Sequence, residues 1–159
     1  MIDVDENLIL SIMPKRKDVS NKGDYGKVLN ITGSRNYTGA GMLSALAALK
    51  VGAGYSILCS DEYSINVSRA TSCDVIYKSH NNFDFNIVKQ YIEEQKVDSI
   101  VFGCGIGVDD ITIDFTHRLI EYLKTTNIPT VIDADGLNCL SKKPIELNKN
   151  FILILKKLH

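Results

Sequence analysis

The stretch Lys22 to Gly54, KGDYGKVLNITGSRNYTGAGMLSALAALKVGAG, joins a strand, a glycine-bearing loop and a helix start in one continuous unit, and the rest of the chain is arranged around it. Lys27 to Thr32 (KVLNIT) is short, β-branched and leucine-rich and is bounded by glycine, which marks a buried strand. Gly33 ends it. SRNYTG supplies polar and turn-forming residues, and AGMLSALAALKV follows as an Ala-rich helix former in which Leu43, Leu46, Ala47 and Lys50–Val51 recur at helical spacing. A helix that opens here leaves its first N–H groups without intrahelical partners and turns the positive end of its dipole toward Thr38 to Gly41, a seat for an anionic group. Gly39 and Gly41 would let a ligand approach the backbone; equally, they would serve only to bring helix and strand close. Neither the GxxxxGK[ST] phosphate loop nor GxGxxG fits, because five residues separate Gly33 from Gly39 and no Lys-Ser/Thr pair follows.

Downstream the pattern alternates. Gly52-Ala53-Gly54 marks a helix end and Tyr55 to Cys59 a second strand. Ser60 reads as an N-cap, with Asp61 and Glu62 complementing the dipole of a following helix, although Glu62 to Ser72 is ambiguous in itself. Asp74 to Tyr77 reads as a strand. Asp84 to Lys96 reads as a helix presenting Ile87, Val88, Tyr91 and Ile92, and Ser99 to Phe102 as a strand. Asp109 to Lys124 is a helix with Phe115, Leu119, Ile120 and Leu123 on one face; Pro129 to Ile132 and Phe151 to Leu155 are further strands. Ahead of all this, Leu8 to Met13 forms an apolar knot closed by Pro14, the mark of a short helix or cover. Strands alternating with helices of this length predict βαβ units and an α/β fold with a mainly parallel sheet covered on both faces. Ligands then belong at the carboxyl ends of the strands, where the loops after Thr32, Phe102 and Ile132 all lie.

With 159 residues, 45% hydrophobic and 23% charged, the composition is that of one soluble globular domain. A net charge of -1 offers no basic face for nucleic acid, and Pro14-Lys15-Arg16-Lys17 reads as a solvated surface. Cys59, Cys73, Cys104 and Cys139 are widely spaced and read as reduced, mostly buried thiols without a metal or disulfide pattern. Acidic residues stand where a signal peptide needs positive charge, and no apolar run approaches a membrane span, so a cytoplasmic location is expected. His80 and His117 read as surface or core-edge histidines.

Two further clusters carry chemistry. Gly103, Gly105 and Gly107 form GxGxG after a strand, which serves either as a flexible turn or as a backbone that a ligand can approach. Asp133 and Asp135 stand two apart at a strand end, where their side chains could point the same way and suit Mg²⁺ or polyphosphate. The competing reading makes Asp135 the cap of a helix beginning at Gly136 and has Asn138 bond its own backbone. Tyr37, in the first loop, could cover a substrate ring.

The Lys22–Gly54 opening, VFGCGIG at Val101–Gly107 and VIDADGLN at Val131–Asn138 occur in the order seen in the ADP/ATP-dependent NAD(P)H-hydrate dehydratases, and the chain resembles the N-terminal part of that family's domain. The resemblance implies a ribokinase-like three-layer αβα fold and a lyase that restores NAD(P)H from its 6S hydrate (NADHX or NADPHX) at the expense of ADP or ATP, with Mg²⁺. The ring hydroxyl would be phosphorylated and phosphate then lost. It also implies that Gly103, Gly105 and Gly107 line the substrate pocket, Gly105 foremost, together with Ala40, its neighbours Tyr37, Thr38 and Gly39, and Asp133 and Asn138. A homo-oligomer, a tetramer by family resemblance, is implied as well. Phe151–Ile154 matches the strand that in the family runs into TPHPGE, Leu155–His159 departs from that pattern, and the later NxGxGD motif with its general-base aspartate has no counterpart. The expectation is therefore a partial domain without the nucleotide-binding half and with no catalytic residue of its own. A sugar or vitamin kinase of the same fold is the other enzyme reading, against which the KGxxG…GSxxYTGA opening argues; a non-catalytic binding or oligomerising fragment is the third.

Overall fold

A computed structural model describes residues 5–13, 15 and 17–155. Pro14 as the close of the N-terminal knot, Arg16 of the basic cluster and residues 156–159 lie outside the described residues. Six strands, β1 Lys27–Ile31, β2 Tyr55–Ser60, β3 Ile76–Ser79, β4 Ser99–Phe102, β5 Thr130–Ile132 and β6 Phe151–Leu153, form a wholly parallel sheet in the order β3-β2-β1-β4-β5-β6. The described helices are α1 Glu6–Ile12, α2 Thr38–Lys50, α3 Glu62–Arg69, α4 Phe85–Gln95, α5 Asp110–Lys124 and α6 Asp135–Lys142.

Strand residues alternate between two helical layers, as the two-residue period of a strand requires. Leu29, Ile31, Ile57, Cys59, Ile100, Phe102 and Ile132 face the layer of α4, α5 and α6, where Val88, Ile92, Phe115, Leu119, Ile120 and Leu123 complete the main core. On the opposite face Leu58 meets Met42 and Ala45 of α2. That second interface also holds a buried polar relay. Ser44 Oγ donates to Asn30 Oδ1 (2.9 Å), Asn30 Nδ2 donates to Ser56 Oγ (3.0 Å), and Ser56 Oγ donates to the Ala45 carbonyl (2.8 Å). Each of these groups is partnered, so the relay registers α2 on β1 and β2 without a desolvation cost.

Several expectations are corrected. Ser60 is the last residue of β2, and the cap of α3 is Asp61, whose Oδ1 accepts from Ser64 N at 2.9 Å. β3 begins at Ile76, two residues later than Asp74, because Ser72 Oγ accepts the Asp74 N–H and holds the preceding turn. The buried face of α2 is Gly41, Met42 and Ala45, whereas Leu43 is 74% exposed. Small residues let this helix close on the sheet: a Cβ on Gly41 would stand 3.1 Å from both Leu58 Cδ1 and the Thr32 carbonyl. The Leu8–Met13 run does form α1, none of whose residues is fully buried, and Met13 at its end borders a cavity with Tyr25 and Leu49. Of the four free thiols Cys59 and Cys139 are buried, Cys104 is half-buried and Cys73 is exposed. Burial pushes the Cys59 thiol up to about 12.

His80 is not at the surface either: it is 1% exposed, just past β3. Its Nδ1 accepts the Phe83 N–H at 3.0 Å, its ring stacks on Phe83 at 4.0 Å, and Phe83 in turn packs on Phe115. Burial pushes its pKa down to about 4, with the nearby Asp61 carboxylate opposing the shift only in part. Between pH about 6.5 and 4 the unfolded chain therefore binds more protons at this site than the folded one. Stability should fall as pH drops through that window, by on the order of 3 kcal/mol for a shift of this size. Urea midpoints measured across the window should show the decline in the wild type and a shallower one in His80→Gln, whose amide oxygen can still take the Phe83 N–H. Parallel slopes would assign the pH dependence elsewhere.

Candidate functional site

The strand order reverses direction between β1 and β4, and in an open parallel sheet the crevice at such a switch point is where ligands bind. Two loops leave from it, one from β1 to α2 and one from β4 to α5. They are laced together at their roots: Gly33 N–H donates to the Cys104 carbonyl (2.7 Å) and Gly103 N–H to the Ile31 carbonyl (3.2 Å). Tyr37 stands at the N-cap of α2 with no side-chain cap; its carbonyl accepts the Ala40 N–H at 3.1 Å, and the Thr38 and Gly39 amides are left to solvent or to a ligand.

Gly105 adopts φ +68°, and a Cβ there would lie 2.8 Å from both Ala40 Cβ and Tyr37 Cβ. Ala40, Tyr37 and Gly105 are thus in contact at one sheet edge. Gly103, with φ +113°, packs against the third loop, where a Cβ would fall 2.3 Å from the Asp133 carbonyl and 2.6 Å from Gly136 N. Gly107, with φ +82°, faces open space and donates its N–H to Asp135 Oδ2 at 2.9 Å. Thr38 and Gly39 sit in the first turn of α2; they border an apolar groove of about 300 Å³ running between α2 and α3 past Met42, Leu43 and Val67. A larger cavity, about 790 Å³, lies at the opposite edge of the sheet beside Tyr25, Leu49 and Lys50, away from all of these loops.

The two aspartates do not act as a pair. Asp133 accepts the Ala134 N–H through Oδ1 (2.7 Å) and the Cys104 thiol through Oδ2 (3.7 Å); burial, with Asp133 beside it, pushes the Cys104 pKa upward. Asp135 accepts from Gly107 N through Oδ2 and from Asn138 Nδ2 through Oδ1 (3.2 Å). It therefore lies inside the first turn of α6 and braces the glycine loop rather than capping the helix, and Asn138 bonds Asp135 rather than its own backbone. The N-cap is Ala134, a non-glycine residue at φ +48°. A left-handed alanine at a strand end costs roughly 1–2 kcal/mol and persists only where its surroundings fix it, here by the Asp133 carboxylate on its own amide. Reading the sequence assigned Ala134 and Cys104 no place at the site and took Gly33 and Gly136 only as a strand end and a helix start; the two glycines, in ITGS and DADG, carry a turn signal, whereas Ala134 and Cys104 carry none.

No group of three or more His, Cys, Asp or Glu among the described residues could hold a metal ion, and every carboxylate oxygen of Asp133 and Asp135 already accepts from a donor.

A parallel six-stranded sheet with helices on both faces and glycine-lined loops at its switch point defines an α/β protein of the kind whose ligand crevice lies at the carboxyl edge of the sheet. Residues 28–154 match the family model described as NAD(P)H-hydrate dehydratase, and the chain belongs to that family. It is 34% identical over 140 residues to the ATP-dependent (S)-NAD(P)H-hydrate dehydratase of Bos taurus, covering 86% of this chain and 42% of the bovine protein. With the ADP-dependent enzyme of Listeria monocytogenes it is 29% identical over 130 residues, covering 82% and 45%. Among solved structures, a ribokinase-like superfamily protein from Enterococcus faecalis superposes with a TM-score of 0.80 at 19% identity, over 94% of this chain and 52% of that one. The ADP/ATP-dependent NAD(P)H-hydrate dehydratase of Bacillus subtilis, co-crystallised with ATP/Mg²⁺, gives 0.68 at 23% identity, over 84% and 46%. The fold is ribokinase-like, and the chain spans about half the length of the proteins it matches or less.

Proposed function

We propose that this chain carries the substrate-facing loops of an ADP- or ATP-dependent (S)-NAD(P)H-hydrate dehydratase, a lyase that restores NADH or NADPH from NADHX or NADPHX. Membership in the family supports the reaction class. The observation that carries the site is the contact of Gly105 with Ala40 and Tyr37 at the switch point, which sets a bare backbone beside an uncapped helix start. In this reading Gly107, which faces open space, lets the hydrated ring approach the main chain, Gly103 and Gly105 close-pack the three loops that line the pocket, Tyr37, 57% exposed, covers the ring, and the amides at Thr38 and Gly39 face the negative charge of the dinucleotide. Asp133 and Asn138 hold the β5–α6 loop behind this wall. The nucleotide is a co-substrate of the reaction, and Mg²⁺ would travel with its phosphates, as that ion is held mainly by water and phosphate oxygens with one or two carboxylates. Chemistry requires a nucleotide clamp and a general base from chain beyond these loops, as the greater length of the relatives allows; this stretch is then one part of the complete domain. Binding tests the site. NADHX should bind the chain saturably, and Ala40→Leu should weaken it at least tenfold by filling the approach to Gly105, about 1.4 kcal/mol. Equal affinity in the two proteins would remove Ala40 from the pocket.

The cytoplasm is the location that suits a substrate drawn from the nicotinamide pool; among the described residues no helix is long and apolar enough to cross a membrane. Self-association is the third part of the proposal. β6 is an edge strand, and Ile152, Leu153, Ile154 and Leu155 are between 41% and 77% exposed there, with Ile152 in register with Val131 on the sheet face. An apolar edge of this kind pairs readily. Sedimentation velocity should show concentration-dependent association that Ile152→Lys reduces; a single monomeric boundary at high concentration would contradict it.

A further inference from the structure

Six buried side-chain polar atoms have no hydrogen-bond partner among the described residues: Thr32 Oγ1, Ser60 Oγ, Asp61 Oδ2, Ser64 Oγ, Ser68 Oγ and His80 Nε2, at the carboxyl ends of β1, β2 and β3 and along α3. The chemistry of two of them is fixed. His80 Nδ1 accepts the Phe83 N–H, so the neutral ring carries its proton on Nε2, and Nε2 is a donor. Asp61 Oδ1 accepts the Ser64 N–H, which leaves Oδ2 as an acceptor. The two groups are brought near each other by the backbone: Asp61 follows Ser60, whose carbonyl accepts the His80 N–H at 3.0 Å, and the field of the Asp61 carboxylate reaches the imidazole. A buried donor and a buried carboxylate oxygen each cost about 1–3 kcal/mol or more when unmet.

We propose that an ordered internal water bridges His80 Nε2–H to Asp61 Oδ2. The occupant must accept from an N–H and donate to a carboxylate at once. A metal cation cannot accept, and an anion cannot sit against Asp61. Water does both, and internal waters make about three bonds of this kind. The bridge ties the start of α3 to the turn between β3 and α4. That turn runs through three successive left-handed residues, Asn81 (φ 45°), Asn82 (φ 60°) and Phe83 (φ 59°), and His80 holds it through Nδ1 and its stacked ring. Strained turns persist where several contacts over-determine them, and the water fixes the orientation of the ring that makes those contacts. His80 is in this way a positioning residue for the β3–α4 corner.

A crystal structure with ordered solvent tests the bridge directly, and should show one peak within about 3.2 Å of both His80 Nε2 and Asp61 Oδ2. In solution, ¹⁷O relaxation dispersion should register a long-lived water in the wild type, with cross-relaxation between that water and the His80 Hε2 proton. Asp61→Ser keeps a capping oxygen for Ser64 N but removes the second acceptor, and should reduce the long-lived population by one. If that variant fails to fold, the wild-type cross-relaxation alone decides. Nε2 bonded directly to a protein oxygen, an ion in the peak, or no long-lived water near Hε2 would each overturn the proposal.

Discussion

Alanine at Gly103 is expected to unfold the protein under conditions where alanine at Gly39 leaves it untouched. The added Cβ at Gly103 would stand 2.3 Å from the Asp133 carbonyl and 2.6 Å from Gly136 N, both backbone atoms, and the residue would have to hold φ +113°. Neither the clash nor the dihedral can be relieved by rotating a side chain, so a loss well above about 3 kcal/mol is expected. The other loop glycines should follow in a fixed order. At Gly105 the neighbours are the Cβ atoms of Ala40 and Tyr37 at 2.8 Å and φ is +68°, so alanine there costs less than at Gly103 but still forces the two loops apart. Gly107 faces open space and its φ of +82° alone sets the cost, roughly 1–2 kcal/mol. Gly39 has nothing within reach and helical φ, and alanine there should be neutral or slightly stabilising. Urea denaturation of the four variants reads this order; Gly107→Ala more damaging than Gly103→Ala would mean that the packing of the three loops is misread.

Much of this arrangement was legible before any coordinate. β1 and β4 fall within a residue of their predicted bounds because each is a short apolar run stopped by glycine, and the face of α5 is as predicted because Phe115, Leu119, Ile120 and Leu123 stand among polar residues. α2 shows where such reading fails. Nearly every residue from Ala40 to Val51 is apolar or small, so helical spacing carries no contrast, and the face that packs is the one whose side chains are small enough to let the backbone approach. α3 was ambiguous for a related reason: two of its three buried residues are Ser64 and Ser68, whose hydroxyls look solvent-facing in sequence. At the site, the positions of Ala40 and Gly105 follow from parallel topology, since loops leaving neighbouring strands at the same edge must meet. The roles of Asp133, Asp135 and Asn138 did not follow. Each makes a specific bond across loops or within a turn that spacing does not encode, and the left-handed Ala134 between the two aspartates turns their carboxylates to different partners.

The largest functional effect expected is the difference between this chain alone and the same chain completed by the remaining part of a relative's domain. In the proposed reading these loops supply backbone amides and a ring cover, while the carboxylates of Asp133 and Asp135 brace the loops and His80 is buried behind β3, so the general base comes from chain beyond them. Without a positioned nucleotide and a base, each of which contributes orders of magnitude, turnover should be undetectable even though substrate binds. The decisive measurement is the return of reduced-nicotinamide absorbance from NADHX in the presence of ADP or ATP with Mg²⁺, run on this chain and on the chain joined to the rest of the Listeria monocytogenes domain. Activity only in the joined protein, abolished there by Gly105→Val, is the expected result; phosphorylation of a sugar or vitamin by the joined protein with no return of absorbance from NADHX would contradict it.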